Sequence, residues 1–185
     1  MCIFLASPGD VRDERDRLSR VVEQFNRGTA DRFGLTVELL RWETHATPDV
    51  GRPQQVIYDK LPASAWDIFV GILWLRFGTE SGETDPETGQ VYRSGTEEEF
   101  KAAYRRRVAS STGWPKVMFY RCTRPPANLL AFDMNQYARV DTFFKEFAAG
   151  GAHPGLVQHY QQPEEFERLV HKHLERWLWE LKPNG

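Results

Sequence analysis

Two rhythms of apolar residues alternate along the chain: short unbroken runs, and longer stretches with apolar positions three or four apart. The run Trp66–Trp74 carries a single charge, Asp67, and shows no in-out alternation. Such a run predicts a strand covered on both faces, at the centre of a parallel sheet. Shorter runs predict strands over Cys2–Ala6, Leu35–Arg41, Lys116–Arg121 and Leu156–Tyr160, with Trp66–Leu73 as the third of the five. Helical spacing fills the intervals. The turn Ser7-Pro-Gly-Asp10 opens a helix reaching about Arg32, with Leu18, Val22 and Phe25 inward. Trp42–Arg52 reads as a polar loop, and Pro53 suits the first turn of a short helix ending near Leu61. Further helices are expected over Thr96–Ala109, over Asn135–Ala148 with Val140, Phe143, Phe144 and Phe147 inward, and over Pro163–Leu181.

Five strands alternating with five helices predict an α/β three-layer sandwich, flavodoxin-like, with a parallel sheet of order 2-1-3-4-5. In that order ligands bind at the carboxyl edge, between the first and third strands. Three loops converge there: Ser7–Asp10, Trp74–Gly78 and the polar loop leading into Thr96.

Composition adds limits. The 185 residues suit one domain spanning 1–185, and Lys182-Pro-Asn-Gly185 reads as a linker to a longer protein. A net charge of −2 gives no reason to expect nucleic acid or an anionic membrane as partner, and no apolar run is long enough to span a bilayer. Arg105-Arg106-Arg107 reads as a solvated helix face. Cys2 and Cys122 read as free thiols of a cytoplasmic protein, and the N-terminus enters a strand with no room for a signal peptide. His171 and His173 lie two apart on a helix, a poor metal pair, so no metal site is expected.

The chemistry-bearing candidates lie on the three loops. Free amides at the helix start after Ser7, Gly9 and Asp10 suit a phosphate, although Asp10 or Ser7 can equally cap that helix. No Walker loop and no GxGxxG occurs. Arg76 suits a phosphate or a carboxylate, Trp74 or Phe77 suits a base, and Glu43 follows the second strand. On the helix from Thr96, the apolar face runs through Phe100, Tyr104 and Val108. Glu98 then points away into solvent, and Glu97 and Glu99 flank the apolar face. Two roles stay open for Glu99. It can close a capping box onto Thr96, or it can project beside Ala102 and Ala103 toward a ligand. Trp179 and the Trp114 loop lie off the apolar faces and suit an interface.

Together Phe4–Arg15, Leu40–Thr44, Gly51–Gln54, Asp67–Trp74, Arg76–Gly78 and Gly95–Phe100 resemble the DUF4062 family, a TIR-like group of bacteria and some animal proteins. The resemblance covers nearly the whole chain. It implies the flavodoxin-like fold, self-association, and downstream STAND-type NTPase, WD40 or TPR regions. The wider superfamily includes TIR domains that cleave NAD and nucleoside deoxyribosyltransferases, both with a Glu on the helix after the third strand. Gly95-Thr96 followed by Glu99 fits the deoxyribosyltransferase pattern Gly-Thr-x-x-Glu, whereas the TIR Trp-Cys helix motif is absent. The resemblance therefore implies Glu99 as catalytic carboxylate, with Ser7, Gly9, Asp10, Trp74, Arg76, Phe77 and Thr96 around a nucleotide. NAD would be a substrate, with no resident cofactor. A non-catalytic module for self-assembly or messenger binding, and nucleoside base exchange, are the alternatives.

Overall fold

The computed structural model of the protein describes residues 1–32, 34–41, 62–128 and 132–180. The expected loop Trp42–Arg52, the helix Pro53–Leu61 and Glu43 lie outside them. Five strands, β1 Cys2–Ala6, β2 Glu38–Leu40, β3 Ile68–Leu73, β4 Lys116–Cys122 and β5 Val157–Tyr160, pair in parallel in the order β2-β1-β3-β4-β5. This is the flavodoxin-like order expected. Helices α1 Arg12–Arg27, α2 Thr29–Arg32, α3 Gly95–Ala109, α4 Met134–Lys145 and α5 Pro163–Glu180 accompany the sheet, with a 3-10 turn at Ala63–Ala65. Among the described residues no helix is long and apolar enough to cross a membrane.

Alternation along the strands divides the core into two layers. Ile3, Leu5, Ile68, Val70, Ile72 and Tyr120 pack with Leu18, Phe25, Phe166 and Leu174 of α1 and α5. Phe4, Phe69, Leu73 and Phe119 pack with Phe100, Phe143 and Phe147 on the side of α3 and α4. Every residue of β3 is buried, which is why its sequence shows no alternation. Gly71 lets the Phe119 ring of β4 lie against β3, where a Cβ would sit 2.2 Å from that ring.

Three expected elements are shorter than the sequence suggested: the helix expected over Asn135–Ala148 ends at Lys145, and two others shorten for local reasons. The first helix stops at Arg27 because Gly28 leaves helical geometry (φ −133°, ψ −94°) and its amide turns back to the Phe25 carbonyl. The second strand shrinks to three residues because the Asn26 side chain takes both backbone groups of Val37, donating at 2.7 Å and accepting at 2.8 Å. Leu156, expected to open the fifth strand, precedes it and is 99% exposed.

Candidate functional site

Asp10 does not cap α1. Its Oδ2 accepts from the backbone amides of Leu75 and Arg76, at 2.9 and 3.0 Å, in the loop after β3. The cap position of α1 falls to Val11, whose side chain makes no capping hydrogen bond. Burial pushes the Asp10 carboxyl up, although the two amides pull it down, and its other oxygen, Oδ1, is buried without a hydrogen-bond partner among the described residues. From the opposite side, Gln136 of α4 accepts from the amides of Phe77 (2.8 Å) and Gly78 (3.0 Å). Its Nε2 donates to the Gly78 carbonyl at 3.2 Å. Residues 75 to 78 thus have four successive amides held by side chains, and the loop is fixed rather than offered as an anion cradle.

Arg106 orients α3. Its guanidinium, near the helix end, donates to the carbonyls of Ala63 and Trp66, the latter at 3.0 Å, where β3 begins. The helix therefore runs antiparallel to β3, and its opening turn stands at the carboxyl edge. Ser94 is the cap residue, its hydroxyl accepting from the Glu97 amide at 3.1 Å. Glu97 reaches back to the Arg93 amide (2.6 Å) and binds the Arg93 guanidinium through Nε (2.9 Å) and Nη2 (2.5 Å). Arg93 also holds Glu146 at 2.6 Å and lies over the Phe77 ring. The helix is thus capped by Ser94, with Glu97 reaching back to the residue before the cap, two residues ahead of the Thr96–Glu99 capping box that the sequence suggested. Thr96 and Glu99 are buried on this turn, Glu99 at 4% exposure.

Glu98 is buried too, at 6%, and not solvated as expected. Helical periodicity presumes one covered face, but every residue from Thr96 to Phe100 is buried on this turn. A hairpin bridged at Thr84 and Val91 lies along α3, with Asp85 held by Lys101 (2.7 Å) and Arg105 (3.3 Å). The signal for this hairpin was the Asp85-Pro-Glu-Thr-Gly89 turn, where Gly89 takes a φ of 68°. The Arg105 side chain is consequently tied down rather than on a purely solvated face. At the far end of α3 Val108 is 66% exposed, so the expected apolar face ends before it.

The remaining candidates scatter. Phe77 is fully buried among Phe143 and its neighbours, a core residue with no surface for a base. Arg76 is exposed, Gly9 is exposed, and Ser7 is half-buried after β1. Trp74 donates to the Arg124 carbonyl at 2.7 Å, and the Arg124 guanidinium covers its ring at 4.3 Å. Trp114 packs against Trp177 and so serves this chain's own core, whereas Trp179 is 53% exposed. His173 bonds the Tyr120 hydroxyl at 2.8 Å, and His171 stacks on Phe25.

Sequence reasoning missed Glu14, which is 1% exposed beneath the carboxyl edge. Its carboxyl is pushed up by burial and faces the Tyr160 hydroxyl and, at 3.8 Å, Arg124. Among the described residues, neither Glu14 Oε1 nor the Tyr160 hydroxyl makes a hydrogen bond of regular geometry. An acid in a helix's first turn ordinarily reads as exposed, so no sequence signal marked it. No family model, curated protein or solved structure matches the chain.

Proposed function

We propose that this chain is a TIR-like module directed at a nucleotide, with Glu99 as the carboxylate that supports cleavage of the nicotinamide–ribose bond of NAD. The observation that carries the reading is the division of labour on α3. Ser94 and Glu97 close the helix end, so the buried Glu99 carboxylate, at the carboxyl edge of a 2-1-3-4-5 sheet, is not needed for capping. In that reaction the glycosidic electron pair leaves with nicotinamide, neutralising its pyridinium. The ribose becomes an oxocarbenium-like cation, and water adds at the anomeric carbon and loses a proton. A carboxylate held beside the ribose in a water-poor site stabilises the cation as it forms.

The test is product analysis with NAD at high protein concentration or under forced clustering. Wild type is expected to release nicotinamide and Glu99→Gln to fall to the buffer rate. Equal release from both removes Glu99 from the chemistry. Release of free base only when a second base is supplied would redirect the reading to nucleoside base exchange.

A second reading, assembly without catalysis, is favoured by Leu156. It is 99% exposed and borders two clefts of about 300 and 320 Å³, lined by Val117 and Phe119 on both sides. Concentration-dependent light scattering without nucleotide turnover supports that reading, and a monomer at all concentrations refutes it. Downstream NTPase or repeat regions would belong to either reading as the partners that the module controls.

A further inference from the structure

At the amino edge of the sheet β4 begins before its outer neighbour does. Lys116 opens β4, but pairing with β5 starts only at Phe119, opposite Val157. In a parallel ladder the backbone groups of successive residues turn alternately to the two neighbouring strands. The Lys116 amide donates to the Asp67 carbonyl at 2.9 Å, on the β3 side. The Thr123 amide donates to the Tyr160 carbonyl at 2.8 Å, on the β5 side. The Val117 amide and carbonyl therefore face the place where β5 has not begun. Among the described residues no backbone hydrogen bond from residues 153 to 156 reaches them. That segment is tied elsewhere, just past α4. The His153 amide donates to the Glu146 carbonyl at 2.8 Å and the Gly155 amide to the Phe147 carbonyl at 3.1 Å. Leu156 is left exposed beside the gap. The gap opens to both faces of the sheet. On the α5 side it leads into the cleft of about 300 Å³, walled by Met118 and Trp177. On the α3 side it leads into the cleft of about 320 Å³, walled by Tyr104 and Val108. Each rim carries one exposed arginine, Arg176 and Arg107 respectively. Among the described residues neither is within ion-pair distance of an acid.

We propose that this notch receives an extended segment of a partner protein, a short apolar run with acidic flanks, which adds as a strand beside β4. Successive side chains of a strand point to opposite faces, and the notch offers one cleft on each face. The open backbone groups of Val117 supply strand hydrogen bonds, and the two clefts select the side chains. A helix cannot serve both, because its backbone groups are already bonded internally. The two arginines decide the flanks, since a guanidinium on each face is matched by a carboxylate at each end of the segment. They also argue against a second copy of this chain as the occupant. Two notches joined edge to edge gather both copies' Arg107 and Arg176 at one joint, a like-charge juxtaposition that disfavours the pairing. The surface lies at the opposite edge of the sheet from Glu99, so the proposal does not rest on the cleavage reading.

Fluorescence anisotropy with labelled peptides tests this. The probes are Asp-Glu-Val-Leu-Val-Glu-Asp, its backbone N-methylated form, which keeps the side chains but not the strand hydrogen bonds, and Lys-Lys-Val-Leu-Val-Lys-Lys. They are titrated with wild type, Leu156→Ser, Arg107→Gln, Arg176→Gln and, as a charge control, Arg139→Gln on the exposed side of α4. Every replaced side chain is exposed, which spares the fold, and circular dichroism checks that each variant is folded. The acidic peptide is expected to bind wild type, and the N-methylated and basic peptides are expected not to. Leu156→Ser should weaken binding about tenfold, the scale of burying one apolar side chain. Arg107→Gln and Arg176→Gln should each weaken it about fivefold, the upper scale of an exposed ion pair, and Arg139→Gln should leave it unchanged. Absence of binding by the acidic peptide overturns the proposal. Equal binding of the N-methylated peptide overturns strand addition, and equal binding of the basic peptide overturns the acidic partner. Equal weakening by Arg139→Gln reduces the effect to general electrostatics and overturns the site. Light scattering that shows wild type dimerising and Leu156→Ser monomeric makes a second copy the occupant, which overturns the partner assignment and supports assembly without catalysis instead.

Discussion

Replacing Glu97 by Gln separates the structural acid of α3 from Glu99, the one proposed to be functional. Glu97 is 2% exposed and accepts three hydrogen bonds, two from the Arg93 guanidinium and one from the Arg93 amide. Gln keeps the shape but turns a donor toward Arg93 and removes the charge. Breaking one partner of a buried ion pair costs about 3–5 kcal/mol. Here the low end applies, because the Arg93 side chain is 33% exposed and keeps Glu146 at 2.6 Å. A loss of about 3 kcal/mol at roughly 2–4 °C per kcal/mol lowers the melting temperature by about 6–12 °C. Urea unfolding followed by far-ultraviolet circular dichroism measures it, with Glu99→Gln unfolded in parallel. A Glu97→Gln loss below about 1 kcal/mol, the scale of an exposed pair, refutes the assignment of the cap. A Glu99→Gln loss as large as that of Glu97→Gln makes Glu99 a structural residue as well.

Two further outcomes follow from the packing. Gly71→Ala brings a Cβ to 2.2 Å from the Phe119 ring and should cost about 1–3 kcal/mol, part of it recovered by adding Phe119→Leu. Independent, additive losses in that pair would show that no clash exists. His153 lies against the Phe100 and Tyr104 rings, and burial lowers its pKa although Glu146, at 3.6 Å, raises it. Its unfolded form takes up a proton more readily than its folded form. The stability it contributes is therefore full above its ordinary value of 6.5 and is lost as pH falls from there toward the lowered folded value. His153→Gln should flatten the stability profile in that window, and parallel profiles for the two proteins refute this.

The fold was legible because its signals are local and redundant. The unbroken run of β3 identifies the sheet centre, and the spacing of Phe166, Val170, Leu174 and Leu178 identifies the buried side of α5. The site was less legible because it depends on which side chain wins a given amide. Asp10 had two sets of backbone donors within reach of one loop, and nothing in the spacing tells that residues 75 and 76 take it rather than α1. The same holds on α3. Glu97 and Glu99 both follow a hydroxyl residue at capping distance, from Ser94 and Thr96 respectively. Helix phase settles the matter, since the helix begins at Gly95 and makes Ser94 the residue before it. Gln136, which fixes Phe77 and Gly78 across 58 and more residues of chain, has no local signature at all.

These contacts have a joint consequence for where chemistry sits. Amides are the cheapest anion donors at the carboxyl edge of an α/β sheet, because they are already fixed and carry no side-chain entropy. The fold uses its best set, residues 75 to 78, to hold the loop still. An anion approaching this edge would then be met by side chains, and α1 opens on Arg12 with Arg15 one turn on. They are costlier to order but stronger per contact. With the β3 loop locked and the α3 end closed by Ser94 and Glu97, neither support needs the ligand to form.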